Sequence, residues 1–363
     1  MKIMYTVEDF SVKGGAENII AKKANFLATH CGHEVSIVTI YRDERETSYP
    51  LADGVKLIRL NVPFVPKECN AVRRLACRMM TVGRMVMAFQ KVLNKEQPDI
   101  IFFTLSLGAF LLPTCRTGAK KVYESHLARM FTAYHSFFLP MELRADIVVC
   151  LTSGDAKEYR HAKDVRIIPN FIEPVKEMAD DYSVKKAIAV GRLEEQKGFD
   201  VLINCWKDIA EKHPDWHVDI YGEGPLRKEL QAQIDRLGLS GCISLCGRSN
   251  SIMDVYPQYS LHIMPSRYEG LPMTLIEAQA CGLPSVVTNY QFGASDIVED
   301  GFNGLLVPQG DIRALTDAIN RMLSSEKLRR EYGRNAIEVG KRFYKDRIIS
   351  QWTSLIESLE KRN

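Results

Sequence analysis

The sequence lacks most of the features that would settle its class at a glance. None of its 363 residues falls in an uncharged apolar run near the ~18 positions of a membrane-spanning helix. The first residues, MKIMYTVEDF, meet Glu8 and Asp9 too soon to supply the apolar part of a signal peptide. Nine cysteines stand singly with no CxxC pair; Cys242 and Cys246 come nearest, and both fall in an apparent strand. That spacing fits a reduced cytoplasm with thiols acting as small core hydrophobes. No GxGxxG fingerprint is present, which argues against a nicotinamide-dependent oxidoreductase. No DxD follows a strand, and there is no solenoid-length repeat or low-complexity tract. No nucleic-acid partner is expected.

What the chain does have is ordinary globular composition, 46% hydrophobic and 26% charged, which excludes long disorder. Its length is beyond the ~250–300 residues at which single cores split, so two domains of roughly 170 residues are expected. Short β-rich runs alternate with helical patterns throughout, the mark of parallel sheets with crossover helices. Seven strands are expected at 2–7, 34–40, 55–60, 99–104, 120–124, 146–150 and 165–169, and six more at 187–191, 217–222, 242–247, 260–265, 284–288 and 304–308. The fold class is therefore α/β, two doubly wound parallel-sheet domains. The first spans 1–170, a Pro- and acid-containing linker 171–184, the second 185–340, and a terminal helix 341–363 is expected to return toward the first domain.

In such sheets ligands meet the loops that follow the strands. After the first strand, SVKGGAEN puts Gly14 and Gly15 at a helix start, either for close approach to a phosphate or for a tight turn. GRLEEQKG offers Arg192 as a planar fork and Lys197 as a point charge for one diphosphate, or two solvated loop charges. In YGEGPLRKEL, Gly222 and Gly224 make room for a ligand or shape the turn, and Pro225 suits a first helical position. Arg248 and Asn250 in CGRSNSI contact a base edge or cap a turn.

The stretch RYEGLPMTLIEA carries two carboxylates, Glu269 and Glu277. Pro272 is expected to start a helix that Gly282 and Pro284 end, with Glu269 in the loop before it. The N–H groups around Gly270, Leu271, Pro272 and Met273 then lie at a helix N-terminus that favours anions. Eight positions at ~100° put Glu277 on broadly the same side as Glu269, two turns deeper. Ionised carboxylates only accept hydrogen bonds, and sugar diols donate them. The plainer reading, one acid at a helix end and one on the surface, is awkward for Glu277 between Ile276 and Ala278.

With GRLEEQKG, the Glu269/Glu277 pair, YGEGP, GGAE and EDGFNGLLVP in this order, the chain resembles family 4 glycosyltransferases of the GT-B architecture, over nearly its whole length. The resemblance implies a retaining, metal-independent hexosyltransferase of the kind used in bacterial surface polysaccharide synthesis. It implies no cofactor but a nucleotide-sugar co-substrate, a UDP-sugar, held by the second domain, and a glycan or lipid-linked acceptor on the first. By matching positions, Arg192 and Lys197 bind the diphosphate, Glu277 the ribose and Glu269 the transferred hexose. Backbone near Gly270–Met273 touches hexose or phosphate, Gly14/Gly15 closes over the phosphates, and His126 in YESHLAR resembles the family's active-site histidine. The alternative is a non-catalytic nucleotide-sugar-binding subunit of a transferase complex.

One segment is strongly basic: Lys67 to Lys95 holds 7 Lys or Arg against 1 acid. On a helical wheel Lys67, Arg73, Arg74, Arg78, Arg84, Lys91 and Lys95 share one arc. Val72, Leu75, Met79, Met80, Val86 and Phe89 oppose them, while Met85 and Val92 intrude among the basic residues. Two readings stand: a crossover helix with a wet basic face, or contact with an anionic membrane at its inner face.

Overall fold

Strands rich in Val, Ile and Phe and buried on both faces require helices on either side of a parallel sheet, and the chain builds two such sheets. The computed structural model describes residues 1–11, 14–41, 47–63, 71–126, 129 and 138–360, with backbone only for 71–79. Two compact units result. The first holds Met1–Leu151, Asp155–Ile168 and the chain from Thr353, the second Thr152–Gly154 and Pro169–Trp352.

In chain order the first sheet and its helices are β1 (Lys2–Val7), α1 (Gly15–Thr29), β2 (Glu34–Tyr41), β3 (Val55–Val62), α2 (Ala71–Glu96), β4 (Ile100–Thr104), α3 (Leu105–Thr114), β5 (Lys120–Glu124), α4 (Phe138–Arg144), β6 (Ile147–Cys150), α5 (Ser153–Ala156) and β7 (Val165–Ile167). The second are β8 (Lys186–Val190), α6 (Phe199–Lys212), β9 (His217–Tyr221), α7 (Arg227–Arg236), β10 (Ile243–Gly247), β11 (Leu261–Met264), α8 (Met273–Ala280), β12 (Ser285–Asn289), α9 (Ala294–Ile297) and β13 (Gly304–Pro308), followed by α10 (Ile312–Leu323), α11 (Glu326–Gly340) and α12 (Lys345–Glu360). Every strand expected from the sequence forms, none displaced by more than two residues at either end.

The sheets are ordered β3-β2-β1-β4-β5-β6-β7 and β10-β9-β8-β11-β12-β13, and their strands pair in parallel. Each reverses direction once, between β1 and β4 and between β8 and β11, and that crevice is where open α/β sheets take ligands. Leu261 pairs with Ala187, so β8 and β11 end level with one another at the reversal.

Local sequence explains the helices that frame it. Phe199, Leu202, Ile203, Trp206 and Ile209 bury one face of α6, spaced at the helical period. Asp311 accepts from the N–H of Ala314 and Ser325 from that of Leu328, capping α10 and α11. The segment expected as a linker has irregular backbone but is packed: Phe171, Ile172, Ala179 and Tyr182 are buried, and the Tyr182 hydroxyl donates to the carbonyl of Gly282.

Three local expectations need correction. Pro225 lies two positions ahead of α7, in a turn whose next N–H, that of Leu226, bonds to Leu193 O; the close backbone contact delays the helix. Pro272 caps α8 rather than beginning it. Among the described side chains of α2 the buried stripe is Met85, Phe89 and Leu93, whereas Met80 is 57% exposed, so Met85 belongs to the apolar face and Met80 to the basic one. Arg84, Lys91 and Lys95 are exposed. Lys67 and the side chains of Arg73, Arg74 and Arg78 lie outside the described residues.

Candidate functional site

The loops after β8 and β11 flank the reversal of the second sheet, and each delivers one charged group to it. Lys197 Nζ stands 2.6 Å from Glu269 Oε1, with the two side chains only 14% and 8% exposed. Ser266 Oγ donates to the same oxygen at 2.7 Å, and Gln196 Nε2 donates to Oε2 at 3.2 Å. A carboxylate this withdrawn from water needs such donors, because its lone pairs lose hydration on burial.

The loop bearing Glu269 is tied down on its outer side. Arg267 pairs bidentately with Asp200 at 2.9 and 2.7 Å and donates to the carbonyl of Glu195. The Arg267 guanidinium holds the Asp200 carboxyl below its usual value. Gly198 sits at φ +66°, and a Cβ there would lie 2.2 Å from the carbonyl oxygen of Pro265, so the two loops approach backbone to backbone.

Beside this pair, Val190, Gly191, Arg192, Tyr221, Gly222 and Arg248 help to line a cavity of about 390 Å³. Arg192 is exposed and meets Glu194 at 3.2 Å. The stem of Lys197 crosses Gly191, where an added Cβ would lie 2.9 Å from Cδ. A Cβ on Gly222 would fall 1.8 Å from the carbonyl of Gly191, and one on Gly224 2.4 Å from that of Leu193. These two glycines are thus required by strand-end packing, although Gly222 also borders the cavity. Ser249 rather than Asn250 lines the wall next to Arg248.

Helix α8 begins at Met273, so its first N–H groups have no acceptor within the helix and point back toward the Gly270–Pro272 loop. Glu277, half-buried on this helix, is not among the residues around the cavity. Its charge is felt instead at Tyr256 and Cys281, whose ionisation burial first and then Glu277 push up, Cys281 to about 12.

In the first unit Gly14 precedes α1, and its carbonyl accepts from Tyr49 Oη at 3.0 Å. A Cβ on Gly14 would lie 2.0 Å from Glu17 Oε2, while Gly15 has open space. His126 follows β5 with its side chain 2% exposed and Nε2 3.2 Å from Glu124 Oε1. Neither ring nitrogen makes an aligned hydrogen bond.

Several members of these clusters escaped the sequence reading. Ser266, Gln196 and the Asp200–Arg267 pair carry no signal in a single chain, since each is an unremarkable polar residue. Lys23 and Glu124 form a fully buried ion pair. Their signal was available: Lys23 falls at helical spacing inside the buried stripe Ile19, Ile20 and Leu27, where a lysine is out of place.

Two sheets each reversing at the third strand, with cation, carboxylate and glycine turns at one reversal, are the architecture of the two-Rossmann (GT-B) glycosyltransferases. The solved structure of a lipopolysaccharide outer core galactosyltransferase, WaaB, superposes with TM-score 0.83 over 99% of both chains at 19% identity. Residues 176–339 match the glycosyl transferases group 1 model and residues 13–176 the glycosyltransferase family 4 model; the chain belongs to this glycosyltransferase family. It is 34% identical to exopolysaccharide phosphotransferase SCO2592 of Streptomyces coelicolor, spanning all of this chain but 41% of that protein. It is also 26% identical, over 99% of both chains, to a Campylobacter jejuni alpha-1,4-N-acetyl-D-galactosaminyltransferase named for a PP-undecaprenol-linked substrate. Among the described residues no helix is long and apolar enough to cross a membrane.

Proposed function

We propose that this glycosyltransferase moves a hexose from a nucleoside-diphosphate sugar, a UDP-sugar, to a glycan or lipid-linked hydroxyl with retention of configuration, in cell-surface polysaccharide synthesis. The reading is carried by one observation: the withdrawn Lys197–Glu269 contact at the reversal of the second sheet, beside a cavity bounded by Arg192 and Arg248. The names of the relatives above, one exopolysaccharide-linked and one lipid-linked, favour the same class of acceptor.

In this reading the nucleoside occupies the cavity, with Glu277 toward the ribose and Arg248 or Asn250 toward the base. The diphosphate lies against Arg192, Lys197 and the start of α8. Lys197 exchanges its Glu269 contact for a phosphate oxygen, which frees Glu269 to accept from hexose hydroxyls. Fixed cations and helix N–H groups then stabilise the departing diphosphate without reorganisation, and no metal is needed. Gly14, Gly15 and His126 belong to the first unit, which takes the acceptor.

The exposed face of α2 extends the reading to the membrane. Arg84, Lys91 and Lys95 stand with Met80 and Met87, 57% and 61% exposed, a basic and apolar face suited to anionic lipid. Flotation with anionic but not neutral liposomes at low salt tests this part.

The donor itself is tested by thermal unfolding with a panel of UDP-, GDP- and ADP-sugars. A bound donor raises the unfolding temperature by mass action, and turnover by the isolated chain separates an enzyme from a binding subunit. No shift with any donor removes the reading.

A further inference from the structure

Burying one ion removes several kcal/mol of hydration, and the interior of the first unit holds two. Lys23, 1% exposed on α1, meets Glu124, 0% exposed at the end of β5. Lys23 Nζ also lies 5.5 Å over the ring of Tyr5. Burial raises the Glu124 carboxyl, but Lys23 and then His126 outweigh it and bring it down to about 2. Burial lowers the Lys23 ammonium while Glu124 raises it. The two directions pull differently, and the contact geometry, cation against carboxylate, favours the ionised pair. A methionine and a leucine would fill the same space without the desolvation.

The pair has a third neighbour. His126, two residues beyond the end of β5, stands 3.2 Å from Glu124 Oε1. Both ring nitrogens and Glu124 Oε2 are buried without a hydrogen-bond partner. The distance is that of a hydrogen bond although the alignment is not, and rotation about the soft χ2 of histidine supplies it. Its flanks are fixed: Asp155 accepts from Ser125 Oγ at 2.7 Å and from Arg129 N at 2.8 Å. Among the described residues, Glu17 on α1 senses His126, and Asp9 and Glu8 after β1 interact with Glu17.

We propose that Lys23 and Glu124 are positioning residues for His126: Glu124, kept anionic by Lys23, accepts a hydrogen bond from Nε2–H and so leaves the Nδ1 lone pair for an acceptor hydroxyl. The pair also ties α1, which follows directly on Gly14, to the end of β5, two residues before His126. This inference rests on the reading of His126 as a group of the transfer chemistry.

The test uses the full chain labelled with ¹⁵N-histidine, His126 being assigned by the signal lost in His126→Gln. The neutral ring is expected as the Nε2–H tautomer. In Lys23→Met/Glu124→Leu, which removes both charges together, the tautomers are expected to mix and kcat to fall about 10- to 100-fold, with the donor KM changed less than about threefold. An Nδ1–H tautomer in the unsubstituted protein overturns the proposal whatever the variants do, and so does a folded double variant with unchanged tautomer and kcat. The ring signal needs no turnover, so a failure of the transferase reading is distinguishable from a failure of this one.

Discussion

Lys197 and Glu269, 72 positions apart in sequence, meet at 2.6 Å because β8 and β11 are neighbours in the sheet and end level where its order reverses. Topology alone makes them partners; nothing local in either loop would. The carboxylate has two further donors in Ser266 and Gln196, so the cation can leave without stranding it.

That surplus sets the first prediction. Lys197→Ala is expected to keep the fold, losing only about 1–2 kcal/mol, since Glu269 retains hydrogen bonds. Transfer is expected to fall by about 10²-fold or more, the scale of removing one group that stabilises developing charge. Glu269→Ala is expected to lose as much activity. Undiminished turnover in the Lys197 variant, measured at saturating donor, removes our account of leaving-group stabilisation.

The second concerns Arg267, whose bidentate hold on Asp200 fixes the outer side of the Glu269 loop. The pair is partly exposed, 34% and 41% for the two side chains, so its direct worth is at most about 1 kcal/mol. Asp200→Asn should therefore leave the unfolding temperature nearly unchanged and lower kcat several-fold through a looser Glu269. A fall in stability with no change in kcat would show that the pair is only a surface tie.

How far the sequence foretold this follows from what each feature depends on. Strands were legible because parallel sheets bury both faces, and runs such as IIFFT in β4 leave a signal independent of partners. Glu269, Lys197 and Arg192 were legible from their loops, one after another in strand order. The partners that hold them were not: Ser266, Gln196 and Asp200 act through contacts fixed only when the strands pair. Among the described side chains α2 buries one arc of about 80°, Met85, Phe89 and Leu93, and Met80, nine positions or ~180° from Phe89, stands opposite it with the basic residues. The ribose role of Glu277 comes from the family resemblance, spacing giving only its side of the helix, and its position away from the cavity wall leaves that role to be tested by Glu277→Ala and donor affinity.

Two glycines give the third prediction, since they look alike in sequence. At Gly191 the three atoms nearest an added methyl all belong to the flexible stem of Lys197, Cδ at 2.9 Å, so Gly191→Ala should fold with a change within about 1 kcal/mol. It should still lower transfer tenfold or more by displacing Lys197, because small misplacements near the chemistry are expensive. At Gly222 the methyl meets the carbonyl of Gly191 at 1.8 Å, which cannot yield, so Gly222→Ala should lose about 3 kcal/mol or more. Chemical denaturation and turnover, measured on both, check the contrast; equal stability losses would contradict it.

The last prediction is a pH dependence. His262, in β11 behind Lys197, is fully buried, with Nδ1 3.2 Å from Ser285 Oγ and Nε2 without a partner. Burial, then the Lys197 charge, lowers its pKa to about 3, below the ~6.5 of an unfolded histidine. Between those values the unfolded chain binds a proton that the folded one refuses. Stability from this group is therefore complete above about pH 6.5 and is lost as pH falls toward 3, with a slope of at most ~1.4 kcal/mol per pH unit. Carboxylates held low, such as Asp200, slope the same way, so the difference from His262→Leu isolates the histidine. Urea unfolding from pH 7 to 4 should show the variant losing stability less steeply than the unsubstituted protein. Parallel curves would mean that His262 is protonated in the fold and finds a partner there.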